Sequence, residues 1–270
     1  NLNKREQESY VMTVSNEPAE LRRQRILSFA NENDFLRPAD LAIELGVSGE
    51  TIRRDLQALE KSGQIRRLHG GVVLEKELRA VEPNRESRAK TNLKGKKEIA
   101  EIAASLLGND DAVFLDVGTT IETAAQAIPK NFSGTLITSS LIIGSLLGNL
   151  EHVNLQILGG KLRAGEYTTF GPDTIAQIDN YNADFAFISA GGIHPENGIT
   201  DYSTDDVASR LAMIKRSKSA FVLATSDKLG KTALRHVCDV KEIQGVITDS
   251  NVSDTQIAQF RNAGIELLHP

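Results

Sequence analysis

"VSGETIRRDLQALEKSGQIRRLHGG", residues 47–71, is the stretch that decides the fold of the N-terminal region. With a period of 3.6 residues, Ile52, Leu56 and Leu59 share one narrow face of a helix. Ser48 stands just before that helix and is a favourable N-cap, because its side chain can accept a hydrogen bond from the first turn. The stretch therefore predicts an amphipathic helix with one buried stripe.

The opposite face of this helix is basic. Arg53 and Arg54 fall on it, followed by Gln57. Two shorter helical patterns, over residues 21–30 and 38–45, come before it, and a tight glycine-containing turn connects the second of them to it. This order predicts a helix-turn-helix, in which the N-terminal part of the last helix enters the major groove of DNA. Arginine in that position can bind guanine or clamp phosphates.

Residues 64–74 predict a hairpin. Two short strands flank His69-Gly70-Gly71, whose residues tolerate the positive φ angles of a tight turn. Such a wing would bring Arg66 and Arg67 to the DNA backbone or the minor groove. The alternative is that all these arginines form a solvated face, and His69 taken alone is a turn residue.

The composition limits the class of protein. A chain of 270 residues with 40% hydrophobic content suits one large domain or two ordinary ones, and it has no run of ~20 apolar residues that could span a bilayer. A single cysteine, Cys238, excludes an internal disulfide and a Cys-based zinc site, so we expect a cytoplasmic protein. We expect residues 1–20 to be a tail, disordered or partly derived from a tag, with Met12 as a candidate native start.

The net charge of −5 is spread unevenly. Residues 1–73 carry no net charge, 74–97 carry +4 and 98–270 carry −9. This distribution suits a protein that contacts DNA at one end only. Residues 75–97 lack periodicity, so we expect them to be a charged linker between a DNA-binding domain at 21–74 and a second domain that starts at residue 98.

The second domain alternates between two patterns. Helical patterns separate short apolar segments, which lie at 112–118, 135–138, 154–158, 185–190, 220–225 and 245–248. Strands that alternate with helices predict an α/β fold with a parallel sheet covered on both faces. In such sheets ligands bind at the carboxyl ends of the strands.

Glycines and polar residues follow the predicted strands. The first strand ends in Asp116-Val117-Gly118-Thr119-Thr120 and leads into a helix, which predicts a phosphate cradle because free amides and the helix dipole both favour an anion. Other strands end in Thr138-Ser139-Ser140, Gly159-Gly160-Lys161, Gly191-Gly192 and Ser226-Asp227-Lys228. Their convergence at one edge of the sheet predicts a single small-molecule site.

Two other kinds of site are not supported. The "GKT" at 230–232 lacks the upstream glycine of a P-loop, since position 225 is threonine. His152, His194, His236 and His269 show no metal-ligand spacing. We therefore expect neither a metal nor a cofactor.

"LGVSGETIRRDLQALEKSGQIRRLHGG" resembles the winged helix-turn-helix signature of the DeoR family of bacterial transcription regulators. In that family a VS-x-x-TIRRDL-x-x-LE helix precedes an R-x-HGG wing. The resemblance implies that Thr51, Arg53 and Arg54 belong to the recognition helix. The candidate DNA-binding residues are Ser48, Thr51, Arg53, Arg54, Gln57, Arg66, Arg67 and His69.

The second domain resembles the sensor domain of the same family. "LDVGTT" matches its D-x-GTT loop, "TSS" stands where it shows TNS, "LGGKLR" matches GG-x-x-R, "SAGGI" matches s-x-GI, and "ATSDKLG" stands in for aDSSKFG. The resemblance covers about residues 21–250. It implies a fold similar to sugar-phosphate isomerases of the ribose-5-phosphate isomerase and glucosamine-phosphate deaminase type, and an effector that is a phosphorylated sugar or a related phosphate ester.

The candidate effector-binding residues are Asp116, Gly118, Thr119, Thr120, Thr138, Ser139, Ser140, Gly160, Lys161, Gly191, Gly192, Asp206, Arg210 and Lys228. Three of them depart from the family pattern. Ser139 replaces an asparagine, and Asp206 with Arg210 replaces a Glu-x-x-x-Lys pair. These changes alter hydrogen-bonding capacity and reach, so the ligand differs from that of familiar relatives or the site is reshaped.

We predict a ligand-gated transcription regulator, most often a repressor in this family, that binds operator DNA as a homodimer or homotetramer. One alternative is a sugar-phosphate isomerase or deaminase with a DNA-binding head, in which Asp116, Asp206 and Lys228 would act as acids and bases. Another is a structural DNA-bound protein with a vestigial pocket.

Overall fold

The chain divides into an N-terminal unit, Asn1–Val81, and a C-terminal unit, Glu82–Pro270. The structure is a computed structural model, and it describes residues 17–32, 36–62, 64–68, 71–74, 82 and 84–270. Each unit has its own hydrophobic core.

In its described residues, the N-terminal unit has three helices and a hairpin. Its elements are α1 (Ala19–Glu32), α2 (Pro38–Glu44), α3 (Gly49–Lys61), β1 (Ile65–Leu68) and β2 (Gly71–Leu74). The two strands pair antiparallel, and Leu36 forms an additional bridge with Val72 of the hairpin. The predicted helix-turn-helix and wing are confirmed.

Local sequence explains why α3 forms where it does. Gly46 has a φ of +62°, which a side chain would resist, and so permits the turn after α2. The Ser48 side chain accepts a hydrogen bond from the Thr51 amide and caps α3. Ile52 and Leu56 are buried in the core that the three helices share.

A buried ion pair joins the first and third helices. Arg22 donates from Nε to Asp55 Oδ2 at 2.5 Å, and Arg23 Nε lies 3.1 Å from the other carboxylate oxygen of Asp55. Asp55 is turned into the core side of α3, away from its exposed arginines. These contacts fix the angle at which α3 is presented.

The C-terminal unit alternates helices and strands. Its helices are α4 (Arg85–Lys90), α5 (Leu93–Ser105), α6 (Thr119–Gln126), α7 (Leu141–Leu147), α8 (Pro172–Ile178), α9 (Thr204–Lys215) and α10 (Asp254–Asn262), with short 3-10 turns at Ser226–Lys228 and Val240–Glu242. Its strands are β3 (Ala112–Leu115), β4 (Thr135–Thr138), β5 (Asn154–Ile157), β6 (Lys161–Arg163), β7 (Thr168–Phe170), β8 (Ala183–Ile188), β9 (Gly192–His194), β10 (Gly198–Asp201), β11 (Ser217–Leu223), β12 (Arg235–Cys238), β13 (Gly245–Ile247) and β14 (Leu267–Leu268).

Seven of these strands form a parallel sheet in the order β14-β13-β11-β8-β3-β4-β5. The order along the chain runs outward in opposite directions from β3 and β8, which makes their carboxyl ends the topological switch point. Two small antiparallel sheets, β12-β10-β9 and β6-β7, lie beside it.

Apolar residues cover both faces of the parallel sheet. Phe114, Ile137 and Val222 belong to one buried cluster, whereas Phe187 and Leu136 belong to the other. Neighbouring residues in a strand point to opposite faces, so continuous apolar segments such as "AVFL" serve both layers. The expected fold class, an N-terminal winged helix-turn-helix with a parallel α/β domain, is confirmed.

The predicted linker at 75–97 extends too far. Residues 84–97 belong to the C-terminal unit, where Asn84 caps α4 and Asn92 caps α5 with a φ of 46°. The prediction was wrong here because α4 has no buried residue and therefore no apolar stripe to detect. Ion pairs hold it instead, as described below. Residues 75–81 and 83 lie outside the described residues.

The expected tail is also shorter than predicted at its C-terminal end, because α1 begins at Ala19. Residues 1–16 lie outside the described part of the chain.

Candidate functional site

The exposed face of α3 presents two arginines that share one carboxylate. The side chains of Arg53 and Arg54 are 59% and 76% exposed, and they lie 2.7 and 3.3 Å from Glu50 Oε1. Hydrogen bonding from Arg53 lowers the pKa of Glu50 to about 2. Gln57 is exposed on the same helix. The ion pairs of Arg53 and Arg54 with Glu50 are weak, because ion pairs between exposed side chains exchange readily with other partners.

The wing is attached to this helix through Arg67. Its Nη2 donates to the carbonyl oxygen of Arg53 at 2.8 Å, and its Nε lies 3.4 Å from Glu60 Oε2. Arg66 pairs with Val73 in the β1–β2 ladder, whereas its side chain and His69 lie outside what the structure describes. Arg67 therefore connects β1 to the recognition surface.

A buried arginine stands at the switch point of the C-terminal unit. Arg210 of α9 donates from Nε to Asp116 Oδ2 at 2.7 Å, its Nη1 lies 2.7 Å from Asp201 Oδ2, and its side chain is 3% exposed. Burial opposes the charge of Arg210, but the carboxylates of Asp116 and Asp201 outweigh it and raise its pKa. Ser189, after β8, donates to Asp116 and accepts from Arg210 Nη2.

The start of α6 lies beside Ser189, a hydrogen-bond partner of Arg210. Gly118, with a φ of +110°, precedes the helix, and Thr119 and Thr120 in its first turn are buried. A side chain at position 118 would place its Cβ 3.4 Å from Ser189 Oγ and 4.0 Å from Arg88 Nη1. Arg88 of α4 thus points at the predicted phosphate cradle.

Two lysines add positive charge to the same place. Burial and the charges of Lys228 and Arg88 lower the pKa of Lys96 to about 8, while the Lys96 ammonium donates to the carbonyl oxygen of Arg88. Lys228 Nζ donates to the carbonyl oxygen of Ala190 at 2.5 Å, and burial lowers its pKa as well. Both lysines are therefore buried cations close to a third cation, Arg88.

A chain of ion pairs extends outward from Arg88. Arg88 Nη2 lies 2.6 Å from Glu166 Oε2 and 3.1 Å from Glu82 Oε1. Arg163 of β6 lies 3.3 Å from the other oxygen of Glu82 and 2.7 Å from Asp206 Oδ2. Burial raises the pKa values of Glu82 and Asp206. Arg85 adds a two-pronged pair with Glu122 of α6, at 3.0 and 2.6 Å.

The hydroxyl run after β4 is buried and serves backbone geometry. Thr138 accepts from the Ser140 amide, and Ser140 caps α7 by accepting from the Ile143 amide at 3.2 Å. The Ser139 carbonyl accepts from the Thr169 amide at 2.9 Å. These residues anchor the β6–β7 hairpin against the end of β4.

The glycines fit tight backbone packing. At Gly160 a Cβ would lie 2.2 Å from Thr174 Oγ1, at Gly191 it would lie 2.7 Å from the Tyr202 ring, and at Gly192 it would lie 2.6 Å from the Lys231 carbonyl oxygen. Lys161 is exposed, with Nζ 5.8 Å from the centroid of the Phe170 ring. The cation of this hairpin that joins the ion pairs is Arg163.

Several residues of this arrangement escaped the sequence-based prediction. They are Glu82, Arg88, Lys96, Arg163, Glu166, Ser189 and Asp201. Three of them, Glu82, Arg88 and Lys96, lay inside the predicted linker, where no neighbouring motif marked them. Arg163 was accessible to sequence reasoning, because it is the last residue of the "LGGKLR" motif.

Within the described residues no group of three or more His, Cys, Asp or Glu side chains could hold a metal ion. Over the same residues, no helix combines the length and apolar character that a membrane crossing needs.

Known proteins match both units. Residues 22–77 match the DeoR-like helix-turn-helix domain, and residues 91–250 match the DeoR C terminal sensor domain. The HTH-type transcriptional repressor GlcR of Bacillus subtilis (strain 168) is 31% identical over 90% of this chain and 93% of its own length. The glycerol-3-phosphate regulon repressor of Escherichia coli (strain K12) is 26% identical over 90% of this chain and 96% of its own.

Among solved structures, ribose 5-phosphate isomerase A from Methanocaldococcus jannaschii aligns with a TM-score of 0.37 and 16% identity, over 49% of this chain and 52% of that chain. A likeness of this size carries no argument about activity.

A winged helix-turn-helix with exposed arginines, joined to an α/β domain, together with these matches, defines a DNA-binding transcription regulator. The chain belongs to the DeoR family.

Proposed function

We propose that this regulator represses a sugar or carbohydrate catabolic operon and is released from operator DNA by a phosphorylated sugar or a related phosphate ester. The observation that carries the effector class is that Arg88 Nη1 lies 4.0 Å from where a Cβ at Gly118 would stand, with Lys96 and Lys228 near enough to Arg88 to feel its charge. The amides of a helix start and three cations together favour a dianion. Among the relatives, the glycerol-3-phosphate regulon repressor carries a phosphate ester in its name, which agrees with a phosphorylated effector.

At the DNA end, we propose that Arg53, Arg54 and Gln57 contact the major groove, with Ser48 and Thr51 at the start of the helix. Arg66, Arg67 and His69 of the wing would contact the backbone or the minor groove. One such head offers few base contacts, so we propose a homodimer or homotetramer that binds repeated half-sites.

We propose binding without catalysis. The two acids that an enzyme would need are committed to arginines, Asp116 to Arg210 and Asp206 to Arg163. Lys228, a candidate base, donates to a backbone carbonyl. Both carboxylates already accept a hydrogen bond from an arginine, so neither is free to take a proton from a substrate.

Release requires two arrangements of the protein. The effector can shift the equilibrium between them only if it binds one more tightly, and the operator must prefer the other. Binding of effector and binding of DNA then weaken each other by the same factor.

The first experiment is a thermal-shift screen of the purified protein with matched pairs of phosphorylated and free sugars. An effector at about 100 times its Kd should stabilise the native state by about 2.7 kcal/mol. Stabilisation by phosphorylated compounds alone supports the proposal. Stabilisation by free sugars alone would refute the phosphate assignment.

The second experiment applies the compounds that bind to a fluorescence-anisotropy titration of labelled operator DNA. Release of DNA by a stabilising compound supports the regulatory role. The same mixtures are analysed by chromatography for isomerised or deaminated product, and turnover would revive the enzyme alternative. Sedimentation of the protein with and without DNA tests the dimer or tetramer.

A further inference from the structure

The carboxyl ends of the strands hold a cluster of charges that balances without a ligand. We call it the charged cluster, and its members are Arg88, Lys96, Arg163, Arg210 and Lys228 with Glu82, Asp116, Glu166, Asp201 and Asp206. Cations and carboxylates of this set are equal in number, and Asp227 beside Lys96 and Lys228 adds a further negative charge. A dianionic ligand would therefore leave an excess of negative charge in a partly buried place, which is costly unless one carboxylate leaves.

Two of these carboxylates, Asp116 and Asp201, are firmly held. Asp116 Oδ2 accepts from Arg210 Nε at 2.7 Å and from the Ser189 amide at 2.9 Å. Asp201 accepts from the Tyr202 amide at 2.7 Å in addition to its pair with Arg210. These hydrogen bonds to the charged form stabilise both carboxylates where they are.

Glu82 is held more weakly. Its two ion pairs, with Arg88 at 3.1 Å and Arg163 at 3.3 Å, are longer than the other pairs of the charged cluster. Burial and the nearby carboxylates of Asp201 and Glu166 raise its pKa, which means that its charged form is poorly stabilised. Glu82 therefore leaves its arginines at a lower cost than Asp116 or Asp201 would leave Arg210.

Arg88 lies between Glu82 and the predicted cradle. Its Nη2 faces Glu82 and Glu166, whereas its Nη1 lies 4.0 Å from where a Cβ at Gly118 would stand. A planar guanidinium can turn both edges toward a phosphate, and it would then give up a carboxylate partner.

We propose that Arg88 is a further effector-binding residue and that Glu82 occupies it as an internal competitor of the effector's phosphate. This inference rests on the proposed function. Glu82 is also the residue at which the chain enters the C-terminal unit. Its release by the effector therefore acts at the N-terminal end of that unit.

The test compares the full-length protein with its Glu82→Gln variant in calorimetric titrations with inorganic phosphate. Removal of the competitor should tighten phosphate binding by at least about fivefold, the low end of ordinary coupling between sites. The concentration of phosphorylated effector that releases half of the operator should fall by a similar factor. Glu86→Gln is the matched control, because Glu86 is exposed and pairs with Lys90 on the same helix.

A double-mutant cycle tests whether the Glu82 carboxylate and phosphate compete for Arg88. Arg88→Gln should weaken phosphate binding, and Glu82→Gln should have no further effect in that background. Circular dichroism checks the fold, and Arg88→Lys replaces Arg88→Gln if the latter does not fold.

The outcomes separate the two proposals. Absence of phosphate binding to both the wild type and Glu82→Gln would refute the phosphate site and this inference together. Binding by the wild type with unchanged affinity in Glu82→Gln would overturn this inference alone.

Discussion

Arginines of the two units differ in how exposed they are and in which partners their guanidinium groups can exchange. Arg53 and Arg54 are exposed and share one glutamate, whereas Arg210 is buried between two aspartates. The exposed pair can exchange its carboxylate for a DNA phosphate or a guanine at little cost. The buried arginine cannot, because its departure would leave two unpaired carboxylates in the interior. Burial and the number of partners, more than residue type, separate a binding arginine from a structural one.

The largest effect we expect comes from Arg210→Met. Loss of the cation leaves Asp116 and Asp201 buried without an opposite charge, which should lower the free energy of unfolding of the C-terminal unit by about 3–5 kcal/mol. Scanning calorimetry of the full chain measures this. The control Arg216→Ala breaks an exposed pair with Asp179 and should cost less than about 1 kcal/mol. Equal stability of both variants would contradict the structural role of Arg210.

The recognition arginines should matter for DNA and not for stability. Arg53→Ala and Arg54→Ala should each weaken operator binding by about one to two orders of magnitude at fixed salt, with an unchanged melting temperature. Fluorescence anisotropy measures the affinity. Arg261→Ala removes an equal charge from the exposed face of α10 and is the control. If the control weakens binding as much, the effect is general charge and not recognition by α3.

Effector binding should weaken as the pH rises from 7 to 9. Lys96 has a pKa of about 8, so about nine-tenths of it is charged at pH 7 and about one-tenth at pH 9. Bound phosphate favours the charged form, so binding at pH 9 requires uptake of a proton and should be about tenfold weaker. Calorimetric titration of a phosphorylated effector at three pH values tests this. The steepness should fall in Lys96→Gln, and a profile as steep as that of the wild type would exclude Lys96 as its source.

The smallest effect concerns Glu50, the shared partner of the exposed arginines. Glu50→Gln removes the carboxylate that DNA must displace, so binding to random-sequence DNA should tighten by no more than about fivefold. Salt titration of the affinity checks the electrostatic origin. Weaker binding would instead show that Glu50 itself contacts DNA.

The N-terminal unit follows from its sequence because its determinants are close together along the chain. The cap at Ser48 lies three residues from the amide it binds, and Ile52 and Leu56 are one turn apart. The parallel sheet was similarly predictable, since strands buried on both faces are short continuous apolar runs. The cradle loop after β3 was marked by its glycine and hydroxyls.

The charged cluster was not predictable from such patterns. Its ion pairs join residues that are far apart in sequence, such as Arg210 with Asp116 and Arg163 with Glu82. Helix α4 carries no buried residue, so its ion pairs with the rest of the C-terminal unit leave no apolar periodicity in the sequence. From the sequence alone, a charged residue is predicted to be exposed to solvent. Only the fold shows whether an opposite charge lies beside it.

Local spacing and strand order made the helix-turn-helix with its basic face and the α/β class of the C-terminal unit readable from the sequence alone, and they predict a ligand at one edge of the sheet. Only the tertiary structure decided where the linker ends and which cations meet at that edge. It also shows that Arg210 is buried between two aspartates and that Glu82 forms an ion pair with Arg88. Those outcomes depend on which distant residues the sheet brings together, and on how much water the fold leaves around them.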